Sequence, residues 1–593
     1  MSDFPGVQFS VPLATPGPGS RWLTRAALGL VAASWVLPFL QPFHSPPLPS
    51  FFSEWLAIVL SLLSLLCLLG DRATTALHWH GSITWALLAL AGLIFLQWVA
   101  GMVPYGAVAL LAMLYLFWAV LVMSAAALLA ARLGVARVVR VLAWVLVAAG
   151  VVNAGVILTQ FLRVPFAIPL LIYPSPDGIY YGNIAQRNHF AHYMALSVAS
   201  AIYLQSTGKL KAMPGWLCLV FLTFAGAVTA SRSWWVYAAC FVGLALMRYG
   251  TGFRTPERGR VLRLAVGVTA ILALWSLFLP RLAVYGYSLE TVAERLSQPV
   301  EHRPVLWSEA WDMFVTHPVS GVGFGRFGAE HFERQASGDV VMGLATNAHN
   351  IMFHFAAETG VVGLCLLAIL AWAIFRRLQW RADESERWWM LAMLGVAAAH
   401  SMVEFPLWYA YFLGITAFVL GIAAAPAASM AFGPSVRRLV LAALAFTTVN
   451  MTWTAVTYSK LESVLTIAGL YSDRAYEALR GSLRDPLLRP HAEWTVATVM
   501  PVDEHDLAYK LQLNTRVVNY IPSEVVAYQQ AYLLAMAGEV PKAAAQLQKA
   551  LTAYPHEATN AAADLRRYAG RYPLRFQPLL ESARSAAALP AAP

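Results

Sequence analysis

Residues 347–376 read NAHNIMFHFAAETGVVGLCLLAILAWAIFR. The segment opens polar, then becomes a hydrophobic run that ends at Arg376. Such a run is long enough to cross the ~30 Å hydrocarbon layer as a helix. His349 then stands at the mouth of a transmembrane helix, at the level of lipid headgroups. A titratable group there can meet both a lipid-borne and a water-borne substrate. Just upstream lie RPVLWSEAW from Arg303 and GVGFGRFG from Gly321. In so apolar a chain, Arg303, three alternating glycines and His349 gathered at a membrane edge imply a task beyond anchoring.

The composition agrees: 59% of the 593 residues are hydrophobic, 12% are charged, and mean hydropathy is +0.59. Repeated apolar runs of about 20 residues make this a polytopic membrane protein. Cys67, Cys218, Cys240 and Cys365 all fall inside apolar runs and show no paired spacing, so neither a disulfide framework nor a zinc site is expected. The net charge of +10 reads as an orientation signal rather than a nucleic-acid footprint. The first apolar run, after Arg21 and Arg25, reads as a first span rather than a cleavable signal.

Hydropathy predicts an all-α fold with about thirteen spans. They lie near 22–43, 52–70, 82–102, 106–131, 138–162, 189–206, 215–230, 233–248, 262–280, 348–375, 388–403, 407–425 and 438–457. Alternate loops carry the basic residues, including Arg132, Arg137 and Arg140, then Arg254, Arg258 and Arg260, then Arg376, Arg377 and Arg381. The positive-inside rule makes those loops cytoplasmic. The N-terminus is then inside, and the loops 163–188 and 281–347 lie outside with everything after about 458. Two domains are expected: a transmembrane domain over 1–457, with 281–347 as its external loop, and a helical domain over 458–593.

The polar oddities all fall on the outer face. Gln186, Asn188 and His189 precede the sixth span. Ser231-Arg232-Ser233 makes a tight turn between two apolar runs. Arg303 begins an amphipathic segment with Leu306, Trp307, Ala310, Trp311 and Phe314 at helical spacing. Asn347, His349 and Asn350 open the tenth span, and His400, Glu404 and Pro406 close the eleventh. Each also has a structural reading. Arg232 can snorkel to headgroups, and Gln186, Asn188 and His189 can cap a helix. His400 and Glu404, four apart, can pair on one helical face. Glu358 lies on nearly the opposite face from His349 and is expected to satisfy a neighbouring helix, because intramembrane carboxylates are costly. His349 and His354 point to different faces, and no HExxH occurs, so no metal site is expected. Gly321, Gly323 and Gly325 admit two readings: a tight turn that re-aims the chain, or backbone approach to a phosphate.

The Arg303 segment, the GVGFGRFG turn and NAHNIMFHFAAETGVVGL resemble the O-antigen ligase and polymerase superfamily of polytopic glycosyltransferases. GNIAQRNHFAHYM at 182–194 and HSMVEFPLWY at 400–409 resemble motifs of its protein O-oligosaccharyltransferase branch. The resemblance covers roughly residues 170–425. It implies an undecaprenyl-diphosphate-linked glycan as donor and a periplasmic, pilin-like protein as acceptor. It also implies an inner-membrane location with the site facing the periplasm, no cofactor and no nucleic-acid partner. Arg232 and Arg303 would steady charge on the diphosphate leaving group. His349 would act as general base toward a serine or threonine hydroxyl. Gln186, Asn188, His189, Asn347, Asn350, His400 and Glu404 would bind substrate. A ligase acting on lipid A core, a glycan polymerase and a lipid-glycan transporter are the rival readings.

The tail suits that branch. Over 524–557, Ala531, Gly538, Ala543, Ala550 and Pro555 fall at the small-residue and stop positions of a tetratricopeptide-like helix pair. One repeat cannot bury its core alone, so helices around 470–515 and 558–588 should stack on it. Such a tail can serve as a platform for acceptor proteins or as a lid that stabilises the membrane domain.

Overall fold

The computed structural model describes residues 18–163, 172–173, 179–249, 256–285, 302–335, 344–378, 385–424, 426–466 and 473–585. Large parts of the expected external loops, 164–171, 174–178, 286–301 and 336–343, lie outside them. A helix stands at every expected span. Eight are long and apolar enough to cross a membrane: Arg21–Leu40, Phe51–Gly70, Ser82–Val99, Gly106–Leu133, Val135–Phe161, Gly259–Leu282, Ile351–Arg377 and Pro434–Leu465. Ala212–Val228, Ser233–Met247 and Ala410–Ala423 are apolar but shorter. The chain is therefore an all-α polytopic membrane protein, and among the described residues eight of the thirteen expected spans are long apolar helices. Arg187–Ser206 is not among them. It is buried on almost every face, so its histidines, serines and tyrosines meet neighbouring helices rather than lipid. Among the described residues the strands are Ala76–Trp79 and Ala428–Ala431, paired antiparallel with Ala76 opposite Ala431.

The chain forms two compact units. The first comprises Met1–Leu88, Tyr115–Val300 and Ala368–Trp453. Helix Arg187–Ser206 runs through its core, where Trp35, Phe39, Tyr193, Trp388 and Trp389 are fully buried. Phe39 stacks on Tyr193 at 4.0 Å. Small residues permit close helix approach, as is usual in membranes: a Cβ at Gly150 would lie 2.5 Å from Ser197 Oγ. Arg132 is paired with Asp71 at 2.8 Å, both nearly inaccessible. The outward-facing surfaces of the long helices carry exposed Leu274, Leu277, Phe446 and Val449, as lipid contact requires.

The second unit comprises Ala89–Leu114, Glu301–Leu367 and Thr454–Pro593. Its tail is a stack of short helices. Glu524–Met536 and Val540–Ala553 form an antiparallel pair that turns at Gly538, whose φ is 81°. Ala531, Ala543 and Ala550, the small residues expected at the contact, are all fully buried. Helices Asp473–Arg484, Arg489–Val499 and Leu507–Val518 precede the pair, and Ala558–Arg571 and Pro573–Ser585 follow it. Helix Phe327–Gln335 belongs to this packing too. Phe332 is in the tail's hydrophobic core and stacks on Tyr554 at 6.2 Å.

Glu493 ties the tail to the connection between two spans. Its carboxylate accepts from Tyr105 Oη at 2.8 Å and from Arg489 Nε at 2.9 Å, with Arg516 Nη2 at 3.1 Å. Burial alone would raise the Glu493 pKa, but these donors outweigh it and hold the carboxyl below its ordinary value. A carboxyl depressed in the folded state contributes its full stability above the unfolded pKa and loses it as pH falls through the folded value. We therefore expect the apparent unfolding temperature of the wild-type protein to drop through the acidic range below about pH 4.5. Glu493→Gln should unfold earlier at neutral pH and respond less to acid. Thermal unfolding followed by intrinsic fluorescence across pH 3–7 checks this.

Candidate functional site

In the first unit, the turn before helix Arg187–Ser206 is built by its own side chains. Gln186 is the N-cap and accepts from the His189 backbone N–H at 2.5 Å, which satisfies one of the helix's open donors. Asn188 then points away from the helix and bridges two distant segments. Its Nδ2 donates to Glu404 Oε1 at 2.6 Å, and its Oδ1 accepts from Ser231 Oγ at 2.8 Å. Ser231 is the neighbour of Arg232, which is half-buried in the turn before helix Ser233–Tyr249. Ala230 takes up that turn's strain with φ 52°.

His400 and Glu404 do not share a helical face. The helix ends at Ser401, so Glu404 lies beyond it and meets Asn188. His400 Nδ1 instead faces His192 Nδ1 at 2.7 Å, both rings being buried. At that distance one nitrogen must carry a hydrogen and the other a lone pair. His189 packs edge-on to Tyr409 at 4.6 Å and to His400 at 5.9 Å. Asn188, Glu404 and Ser231 thus form one hydrogen-bonded group and His192 and His400 another, with the His189 ring packed beside His400 and Gln186 capping the helix; Ser231 and His192 are members that spacing alone does not reveal.

In the second unit, His349 sits in the turn before helix Ile351–Arg377 rather than in its first turn. The reason is Asn350, whose Oδ1 accepts from Met352 and Phe353 N–H at 2.9 and 3.3 Å and so caps the helix. Asn347 Oδ1 accepts from the His349 N–H at 3.0 Å. Between these two asparagines His349 adopts φ 49°, a left-handed conformation uncommon outside glycine. Asn347 and Asn350 are buried and His349 is partly open.

Arg303 lies in the first turn of helix His302–Thr316. One turn later, Trp307 Nε1 donates to the carbonyl of Ala348 at 3.0 Å, and its ring stacks on Phe353 at 5.4 Å. The Arg303 helix is therefore fastened to the residue immediately before His349. Leu306, Ala310 and Met313 form its buried stripe. Trp311, expected on that stripe, is 52% exposed. At 100° per residue it is carried off the stripe that Leu306, Ala310 and Met313 define.

The glycine turn serves geometry. Gly321, Gly323 and Gly325 have φ of 67°, 111° and 77°, and Gly360 breaks helix Ile351–Arg377 at φ 62°. The turn lies against that break: Val322 N–H donates to Ala357 O at 2.8 Å and Gly323 N–H to Glu358 O at 3.1 Å. Val361 N–H, freed by the break, donates to Pro318 O at 2.8 Å. Gln97 clamps both sides. Its Nε2 donates to Ser320 O and Glu358 O at 2.8 and 2.9 Å, and its Oε1 accepts from Phe324 N–H at 3.2 Å. The Glu358 carboxylate accepts from Phe327 N–H at 3.1 Å, at the start of the next helix. With Val322, Gly323 and Phe324 N–H bonded within the fold, the turn reading prevails over the phosphate reading. Gln97 escaped the sequence reading, although a lone amide in an apolar span is a signal in itself.

Three family profiles match the chain. One, described as O-antigen ligase, covers residues 217–368 and so includes Arg232, Arg303 and His349. One described as protein glycosylation ligase covers 181–204, the Gln186–Asn188–His189 segment. One described as virulence factor membrane-bound polymerase, C-terminal, covers 388–569. The chain is also similar to the General O-oligosaccharyltransferase of Acinetobacter baylyi, with 27% identity over 410 residues, covering 66% of this chain and 68% of the relative.

A Cβ at position 321 would fall 2.3 Å from the Glu358 carbonyl carbon. Gly321→Ala should therefore cost more than the about 1–2 kcal/mol of the left-handed backbone alone and lower the unfolding temperature. Gly243→Ala, where nothing lies within 4 Å, should leave it unchanged. Differential scanning fluorimetry of both variants in detergent makes the comparison.

Proposed function

We infer that this chain, an O-antigen ligase-like membrane enzyme, is a protein O-oligosaccharyltransferase that moves a glycan from undecaprenyl diphosphate to serine or threonine hydroxyls of periplasmic proteins. The observation that carries this reading is the protein glycosylation ligase match over 181–204, which falls on the asparagine-bridged network. The similarity to the General O-oligosaccharyltransferase over most of both chains supports it. The enzyme resides in the inner membrane with about thirteen spans, and its site and tetratricopeptide-like tail face the periplasm.

The roles follow from the chemistry of the transfer. The acceptor oxygen attacks the anomeric carbon, a new C–O bond forms, and the bond to the diphosphate breaks on the opposite face. The configuration inverts. His349 takes the hydroxyl proton, its ring being presented by a turn that Asn347 and Asn350 hold on either side. Negative charge grows on the departing diphosphate, and Arg232 and Arg303 stabilise it more in the transition state than in the ground state. Guanidinium suits this because its forked donors match phosphate oxygens. Gln186, Asn188, His189, His400 and Glu404 orient the sugar and diphosphate. The polymerase match over 388–569 favours one alternative, in which the acceptor hydroxyl belongs to another glycan.

Purified enzyme reconstituted with a lipid-diphosphate glycan should modify a pilin-like protein in the presence of chelator. Transfer only to lipid A core or to a second glycan would replace this reading with the ligase or the polymerase. His349→Ala should lose about 100-fold or more of turnover while its unfolding temperature stays near wild type. Arg232→Lys keeps the charge but not the fork, and is expected to turn over well below wild type. Full activity in that variant would remove the bidentate role.

A further inference from the structure

The tail carries a cavity of about 250 Å³ lined by Glu524, Glu557, Asp564, Tyr528, Tyr532 and Tyr568, with Met500 and Val502 among its apolar walls. Small-molecule sites usually span about 300–1,000 Å³, so this one suits a single long side chain rather than a whole ligand. Three carboxylates line it. The cations beside them are Arg567, paired with Asp564 at 2.8 Å, and His556, 3.0 Å from Glu524. Arg567 offsets one carboxylate, so the cavity stays acidic. The walls suit an aliphatic stem with a cationic end: tyrosine rings attract cations over their faces, and apolar walls cover methylene groups. One wall residue is unsatisfied. Tyr532 is 5% exposed, and its hydroxyl finds no hydrogen-bond partner among the described residues. A buried hydroxyl left unbonded is costly, and an entering N–H donor would relieve it. By contrast, Tyr528 Oη already donates to Tyr554 O at 2.9 Å.

We propose that this cavity docks a lysine or arginine side chain of the acceptor polypeptide, so that the tail selects proteins by a basic residue displayed away from the glycosylated hydroxyl. The identity of the occupant as acceptor rests on the transferase reading; the cation preference of the cavity does not. The full-length protein in detergent would be titrated with fluorescein-labelled Gly/Ser decapeptides carrying one central Lys, Arg, Gln or norleucine. Chelator would be present, and the series would be repeated with zinc or calcium. Lys and Arg peptides should bind at least fivefold more tightly than the Gln and norleucine peptides. That preference should vanish in Glu524→Gln/Asp564→Asn and weaken in Tyr532→Phe, with the unfolding temperature of the variants unchanged.

Equal binding of all four peptides would overturn the proposal. So would binding that needs the added ion, since Glu524, His556 and Glu557 hold ligand atoms within 4.8 Å of one another and would then form a metal site. In the transfer assay the double variant should raise KM for the acceptor protein at least fivefold with kcat within twofold. An unchanged KM would overturn the acceptor assignment even where the peptides bind. Absence of transfer by the wild type would instead strike the enzymatic reading, leaving the peptide result to stand or fall by itself.

Discussion

A helix interrupted in apolar surroundings must give every freed backbone group a partner, because water is not there to do it. The break at Gly360 in helix Ile351–Arg377 imposes that demand on the second unit. Pro318, Val322 and Gly323 meet it from one strand of backbone, and Gln97 meets it from another span. The glycines of the turn follow from the same demand, since any Cβ at 321 or 323 would collide with main-chain atoms. So does the position of Glu358, whose carboxylate anchors the start of helix Phe327–Gln335. The His349 turn therefore belongs to a helix that is braced around its third turn, and the loop around it is set by hydrogen bonds rather than by side-chain packing alone.

The first unit solves a different problem with the same means. Helix Arg187–Ser206 has little lipid exposure, so it can carry polar residues: Ser197, Ser200 and Ser206 donate to carbonyls of their own helix, while Asn188, His192, Tyr193 and Tyr203 reach other segments. Asn188 is the centre of this arrangement because an amide offers a donor and an acceptor at once. It uses the donor on Glu404 and the acceptor on Ser231. An aspartate in its place would set two carboxylates against each other, and a leucine would take the bridging amide away from both buried partners.

Much of this was legible in the chain. Runs of apolar residues located the helices, because burial in lipid leaves a strong one-dimensional trace. Arg303 and His349 stood out because charged and titratable side chains are sparse in so apolar a chain. The tail's helix pair announced itself through Ala531, Gly538, Ala543 and Ala550. What could not be read was pairing across long separations. The partner of His400 is His192, 208 positions earlier, and no local spacing encodes that. The left-handed backbone at His349 was equally hidden, because it arises from two asparagine caps acting together. The Trp307 bond to Ala348 was hidden for a related reason: the aromatic stripe was visible, but the polar edge of one ring mattered more than its hydrophobic face.

Phe332 gives the architecture a modular grammar that chain order conceals. The loop before the His349 helix donates a side chain to the hydrophobic core of the tail, and Tyr105 reaches Glu493 from between two spans. A tail transplanted from a relative would arrive with a hole shaped for some other loop's aromatic residue. The segment that recombination or engineering can exchange intact is therefore discontinuous. It consists of loop, inter-span connection and tail together, and a crossover near residue 458 would cut through it.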